Sequence, residues 1–437
     1  VNASRPAPAN EGLASTLSAV AFFFVMTAYY IIRPVRDQLS GAVGSTSLPL
    51  FYGSVFVVML LLTPVFGALV AHFPRKRLLG WCYSFFIACL MAFVPAFLAQ
   101  DRIGARQLGV MFFIWVSVFN LFVVSLFWSF MADIFRSAQA RLVFPLIALG
   151  GTAGAIFGPM VTKLMVRQIG VAPLLVVSAV ALLAAMVLLL AISDRHDCRG
   201  ATRTEEVIGG SLWAGIKELW TRPFLRYMAI LMVLGDGIGT LTYALIADYA
   251  KVHLPDRVER TSFYNDLDLY TNLLVAFLQL TFTPLLLRGL SATWALVVPC
   301  LVNLALLIAL MLLGSGHVLL WGASVPLLAI VMVFTRGFAY GMTKPATDSL
   351  YTRVPRETRY KGKNFVETTI WRLGDVVITS GVNLATALGV ALGGMAAAGA
   401  LIAGAATWVA ALAGRSPDLL PEQPAEGRKE PSGAAEA

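Results

Sequence analysis

The side chains best able to do chemistry here are basic and acidic groups set at helical spacing inside apolar runs. Tyr29, Arg33, Arg36 and Asp37 follow at steps of three and four, which puts Tyr29, Arg33 and either Arg36 or Asp37 on one helix face. A guanidinium grips phosphate or carboxylate through two parallel hydrogen bonds, so one reading is a cationic lobe for an anionic substrate. The other is an Arg33 to Asp37 ion pair, with Arg36 reaching to water along its aliphatic stem. Asp236 stands alone in Leu234-Gly235-Asp236-Gly237-Ile238-Gly239-Thr240. A lone carboxylate at mid-membrane costs on the order of 3 kcal/mol unless paired or solvated. It is therefore a proton-coupling or substrate-contacting group, or the counter-ion of a base on another segment.

Arg336, Tyr340, Lys344 and Asp348 repeat at steps of four, a polar stripe in which Lys344 and Arg336 can bind an anion or pair with a carboxylate. The set Glu367, Thr368, Arg372 and Asp375 gives an internal Arg372 to Asp375 pair by the same spacing. Asp133 closes the fourth apolar run. Together these residues define the expected site: Tyr29, Arg33, Arg36, Tyr340 and Lys344 for substrate, and Asp37, Asp133, Asp236, Arg336, Glu367, Arg372 and Asp375 for coupling or gating.

Other chemistries find little support. The cysteines Cys82, Cys89, Cys198 and Cys300 are scattered, as are the four histidines, so no metal or disulfide framework can be drawn. No nucleophile is set beside a base, and an enzyme is not expected. The glycines around Asp236 follow no strand and make no dinucleotide fingerprint. No cofactor is expected.

These groups need elements to position them. With 58% apolar and 13% charged residues in 437, the composition belongs to a bilayer. About 20 apolar residues span its hydrocarbon core, and such runs predict helices over 14–38, 47–72, 77–99, 107–135, 141–166, 171–193, 224–249, 264–289, 291–314, 318–350, 364–392 and 394–413. The first runs straight into Arg33-Pro34-Val35-Arg36-Asp37, unlike a cleaved signal, and Pro34 is expected to bend it. The polar connection after Ser193 separates two sets of six. Thr63-Pro64 recurs as Thr283-Pro284, and Asp133 as Asp348, as parallel repeats would. The expected fold is an all-α membrane protein of twelve transmembrane helices in two six-helix pseudo-repeat bundles. Its parts are an N-terminal segment 1–13, a bundle 14–193, a central loop 194–223, a bundle 224–413 and a disordered tail 414–437.

Lys and Arg concentrate on alternate connections, Arg353, Arg356, Arg359, Lys361 and Lys363 above all. That puts the termini and the central loop in the cytoplasm of a bacterial inner-membrane protein. The same rule accounts for the net charge of +9 without a nucleic-acid partner. Segments three, six, nine and twelve carry no Lys, Arg, Asp or Glu in their apolar spans, and are expected to face lipid while the charged ones line a cavity. Gly150, Gly154 and Gly158, at steps of four, allow close helix packing.

Two motifs resemble the major facilitator superfamily. Gly67, Leu69, Arg75, Lys76 and Leu78 are similar to its basic loop after the second helix, with Ala71 and Pro74 replacing the family's Asp and second Gly. Gly154, Gly158 and Pro159 are similar to part of the antiporter motif in helix five. Within that superfamily, Tyr29 through Asp37, Lys344-Pro345, and Tyr360 through Asp375 resemble the ATP:ADP antiporters of plastids and intracellular bacteria. The resemblance implies nucleotide exchange, with Arg33, Arg36, Asp37, Lys344 and the Lys361 to Lys363 loop as carriers. Against a triphosphate stands the near match of intramembrane Arg and Lys by Asp37, Asp133, Asp236, Glu367 and Asp375. The expected carrier is monomeric and moves an organic anion such as ATP or ADP, with protons as a possible coupling ion. A proton-coupled exporter resting on Asp236, Tyr29, Trp128 and Tyr340 is the alternative; a non-transporting membrane subunit is another.

Overall fold

The computed structural model describes residues 8–135, 137–195, 219–289, 291–320, 322–354, 362, 363 and 365–419. The helices are α1 Pro8–Val43, α2 Leu48–His72, α3 Arg75–Leu98, α4 Ala105–Ile134, α5 Ser137–Ile169 and α6 Ala172–Arg195. After the central connection come α7 Pro223–His253, α8 Arg257–Leu280 continued by Phe282–Gly289, and α9 Ala292–Leu313. Then follow α10 Leu327–Tyr351, α11 with a π-helical turn Val366–Ile370 and an α-helical body Trp371–Ala387, and α12 Leu392–Gly414. Among the described residues, 11 of these are long and apolar enough to cross a membrane. The exception is α11, whose Glu367, Arg372 and Asp375 dilute its hydropathy. A segment that polar is stable in a bilayer only where it faces a cavity or protein.

Packing follows a repeat. In the first half α1 packs on α4, α5 and α6, α2 on α4, and α3 on α6. In the second half the same list recurs six helices later: α7 on α10, α11 and α12, α8 on α10, and α9 on α12. Each half is thus one bundle around its first helix. The halves meet where α1 contacts α7 and α8, α2 contacts α11, and α5 contacts α8.

Glycine explains the tightest of these seams. Gly150, Gly154 and Gly158 lie in α5 against the backbone carbonyls of Ala19, Phe23 and Thr27 in α1, so close that a Cβ at Gly158 would stand 2.9 Å from the Thr27 oxygen. Small residues four apart let the two backbones touch, as the spacing predicts.

The tenth segment differs from its expected start at 318. His317–Leu320 and Ala323–Pro326 form strands β1 and β2 of an antiparallel hairpin, and α10 begins only at Leu327. Gly322, at φ 82, makes the turn, and Pro326, still extended, ends β2 as the N-cap of α10. Hydropathy alone could not separate this β-branched stretch from helix. The first helix is longer than expected at both ends and passes unbroken through Pro34. Most of the central loop, the loop residues Arg356, Arg359 and Lys361, and the tail beyond 419 lie outside the described residues.

Candidate substrate cavity

A cavity of about 520 Å³ lies between the halves. Its walls come from α1, α2, α4, α5, α7, α8, α10 and α11; none of its lining belongs to α3, α6, α9 or α12. The charge-free segments are therefore those kept out of the cavity wall.

Four arginines reach the wall: Arg33 and Arg36 from α1, Arg336 from α10 and Arg372 from α11. They are not equivalent. Arg36 is committed, with Nε and Nη2 both 2.7 Å from Asp37 Oδ1 and its guanidinium 4.5 Å from the Phe113 ring centre. Arg33 and Arg336 share one carboxylate, that of Asp268 in α8, at 3.5 and 3.8 Å. Arg372 stands 3.8 Å from Asp375. Contacts of this length are Coulombic rather than good hydrogen bonds. They leave the donors of Arg33, Arg336 and Arg372 open to a ligand.

The Arg33 to Asp37 pair, one of the two readings of that spacing, does not form. A fixed step along α1 made it plausible, but Asp37 turns to its neighbour Arg36 and to Tyr243 of α7, while Arg33 points across to Asp268. Asp268 was absent from the expected site although the expected segment eight, 264–289, contains it. The helix begins at Arg257, capped by Asp256 accepting from the amides of Val258 and Glu259. Asp268 thus lies about three turns inside it. Asn272 and Gln279, which line the cavity, continue its face at steps of four and seven. That polar stripe was the available signal.

Asp236 lines the cavity from α7, with Trp371, Arg372 and Asp375 of α11 near it. The Trp371 indole donates a hydrogen bond to Asp236, and among the described residues Asp236 forms no ion pair. Asp375 itself accepts a hydrogen bond of 2.6 Å from Thr240. Tyr29, Tyr30, Tyr52, Tyr243 and Tyr340 add aromatic surface with polar tips. Tyr29 stacks on Phe119, and Arg336 lies over the Tyr243 ring. Irregular helix turns cluster at this site. The π turns Asn120–Val124 in α4, Ala339–Thr343 in α10 and Val366–Ile370 in α11 bring Asn120, Ala339, Tyr340 and Trp371 to the wall, a common use of such turns.

Four expected site residues lie outside the cavity wall, Asp37 among them in its pair with Arg36. Lys344 and Glu367 form a 2.6 Å ion pair beyond the cavity, joined by Asp348 and Lys363 in a cluster that ties α10 to α11. Asp133 is exposed at the end of α4.

Polar links between the halves gather at the end opposite the chain termini. Ser40 Oγ stands 2.6 Å from the Tyr243 phenol, Asp248 accepts from the Ser45 amide, and Arg260 donates to the Gln38 carbonyl. Arg257 pairs with Asp101, and Asn383 donates to the Thr46 carbonyl. The cavity runs from below this seal, at Arg36, toward Phe22, Ala148 and Gln279 nearer the termini.

Two pseudo-repeated bundles enclosing a polar cavity, sealed at one end by contacts between them, are the architecture of a membrane transporter. A model of the Major Facilitator Superfamily matches residues 14–378, and the chain belongs to that superfamily. No curated protein matches it significantly. In fold it is similar to the crystal structure of a mutant of the nucleoside transporter NupG, with a TM-score of 0.61, 11% identity, and 90% of this chain and 98% of that one covered. A bacterial homologue of the iron transporter ferroportin, in an inward-facing state, gives 0.61 at 16% identity over 93% and 100%. A POT family peptide transporter gives 0.60 at 14% identity over 92% and 96%. The family and fold are those of transporters rather than enzymes.

Proposed function

We infer that the protein is an alternating-access carrier of an organic anion, with a nucleotide as the leading candidate. The observation that carries this is the presentation of three guanidinium groups to one cavity, Arg33 from the first half and Arg336 and Arg372 from the second, none within good hydrogen-bond range of its carboxylate. A planar anion offers such donors the paired acceptors they fit. Because the donors come from both halves, a bound anion holds the halves together and moves with them. The tyrosines and Trp371 supply surface on which a base or other flat group stacks. Asp37, Asp268, Asp236 and Asp375 match the four arginines one for one, which favours a substrate of low charge over a polyanionic triphosphate.

Seal and cavity support a state closed opposite the termini. With the termini cytoplasmic, as the distribution of Lys and Arg indicates, this is the state that loads from inside a bacterial inner membrane. The Lys344, Glu367, Asp348 and Lys363 cluster serves in this reading as a clamp that keeps α10 and α11 moving as one. Proton coupling is a second reading, favoured by the absence of an ion pair at Asp236. The test is transport: purified protein in proteoliposomes is given labelled AMP, ADP and ATP with and without internal nucleotide. Saturable uptake of an anion that disappears in Arg336→Ala is expected. Anion uptake equal to that of empty liposomes contradicts the reading.

A further inference from the structure

The cavity charges do not cancel locally. Arg33 and Arg336 share a single carboxylate, Asp268, which is buried and has an Oδ2 with no hydrogen-bond partner. That corner carries one positive charge in excess. On the α7 and α11 side, Asp236 and Asp375 stand against a single cation, Arg372, so that corner carries one negative charge in excess. Arg36 and Asp37 form a closed pair and contribute to neither. In a cavity of low effective dielectric, uncompensated charges of opposite sign are costly and call for a ligand of opposite polarity at each corner.

We propose that the substrate is dipolar: its acidic group sits between Arg33 and Arg336, and an amino group at its other end is held by Asp236. The class is an organic phosphate or carboxylate that also bears an amine or the exocyclic amino group of a base. This rests on the anion reading above and narrows it. The Thr240 hydroxyl donates to Asp375 and takes up one of its oxygens, which leaves Asp236 as the acceptor for the substrate. A simple anion would satisfy the arginines and leave Asp236 with the Trp371 indole but no cationic partner. A simple cation would do the reverse.

The test uses matched probe pairs that differ in the amino group, with the full-length protein in nanodiscs: phosphoethanolamine against ethyl phosphate, AMP against IMP, and glutamate against glutarate. Affinity is read by ligand-induced thermal stabilisation. The aminated member of at least one pair is expected to bind about tenfold more tightly, the scale of one hydrogen bond to a charged group. Asp236→Asn brings the two members of that pair together, and Asp236→Glu restores part of the difference. Size-exclusion profiles and the unliganded melting temperature establish that each variant is folded. Equal binding of both members, or an advantage that survives Asp236→Asn, overturns the dipolar assignment and leaves the anion reading standing. No response to any member of any pair overturns both.

Discussion

Tyr243 of α7 donates a hydrogen bond to Asp37 Oδ1 of α1 at 2.9 Å, so a phenol from one half closes on a carboxylate of the other. Arg36 holds the same oxygen, and the Arg336 guanidinium lies 5.1 Å from the centre of the Tyr243 ring. The cavity arginines and the seal between the halves therefore share one residue. Movement of Arg336 onto a substrate is felt at the contact that keeps the far end shut.

Removing that phenol should favour the state open opposite the termini. Tyr243→Phe keeps the ring under Arg336 and loses the hydrogen bond to a charged acceptor, worth about 1.5–3 kcal/mol. Spin labels at Leu50 and Val252, exposed positions at the sealed end of the two halves, should show a longer distance in at least a tenth more of the population. An unchanged distance distribution would remove Tyr243 from the seal.

Gly154 should tolerate no side chain. A Cβ there meets the Phe23 carbonyl, part of the α1 backbone that cannot rotate away, and overpacking of this kind costs about 1–3 kcal/mol. Gly154→Ala is expected to lower the melting temperature of the purified protein by several degrees. Gly53→Ala, in α2 with nothing within 4 Å, should be neutral or raise it, since alanine is the better helix former by about 0.5–1 kcal/mol.

For the α10 to α11 clamp the expected signature is kinetic. Lys344 touches Glu367 and Asp348 rather than the cavity, so Lys344→Ala should reduce the maximum transport rate about tenfold or more while the KM stays within about threefold. Exchanging the charges in the double variant Lys344→Glu with Glu367→Lys should recover part of the rate, the mark of a direct pair. A KM that rises with little change in rate would return Lys344 to the substrate site.

The fold was legible because a bilayer leaves few options. Apolar runs placed twelve segments, with α11 too polar to count as a span by hydropathy and the tenth started too early, and the placement of charge separated α3, α6, α9 and α12 from the cavity wall before any contact was known. The Gly150, Gly154 and Gly158 stripe indicated its own packing. The site was legible only in part. Local spacing offered Arg33 a partner one turn away at Asp37, yet the partner it takes, Asp268, lies on another helix in the other half. No periodicity within α1 carries that information. Asp268 itself lay inside the expected segment eight, but its spacing there carries no sign of the arginines it meets on two other helices. The β1 to β2 hairpin was missed for the converse reason: Val318, Leu319 and Val325 are as apolar as a membrane helix, and only the glycine turn at Gly322 distinguishes them.

The most direct measurement of the central claim is uptake of labelled AMP and ADP into proteoliposomes by the wild-type protein, Arg33→Ala, Arg336→Ala and Arg336→Lys, each first shown to be monodisperse. Saturable anion uptake is expected in the wild type. Both alanine variants should lose it by about a hundredfold, since each removes one of the two guanidiniums that would hold the anion, and hydrogen bonds to a charged group are worth about 1.5–3 kcal/mol; Arg336→Lys should be intermediate because it keeps the charge without the planar fork. Undiminished anion uptake in the alanine variants, or transport confined to lipophilic cations, would contradict the account.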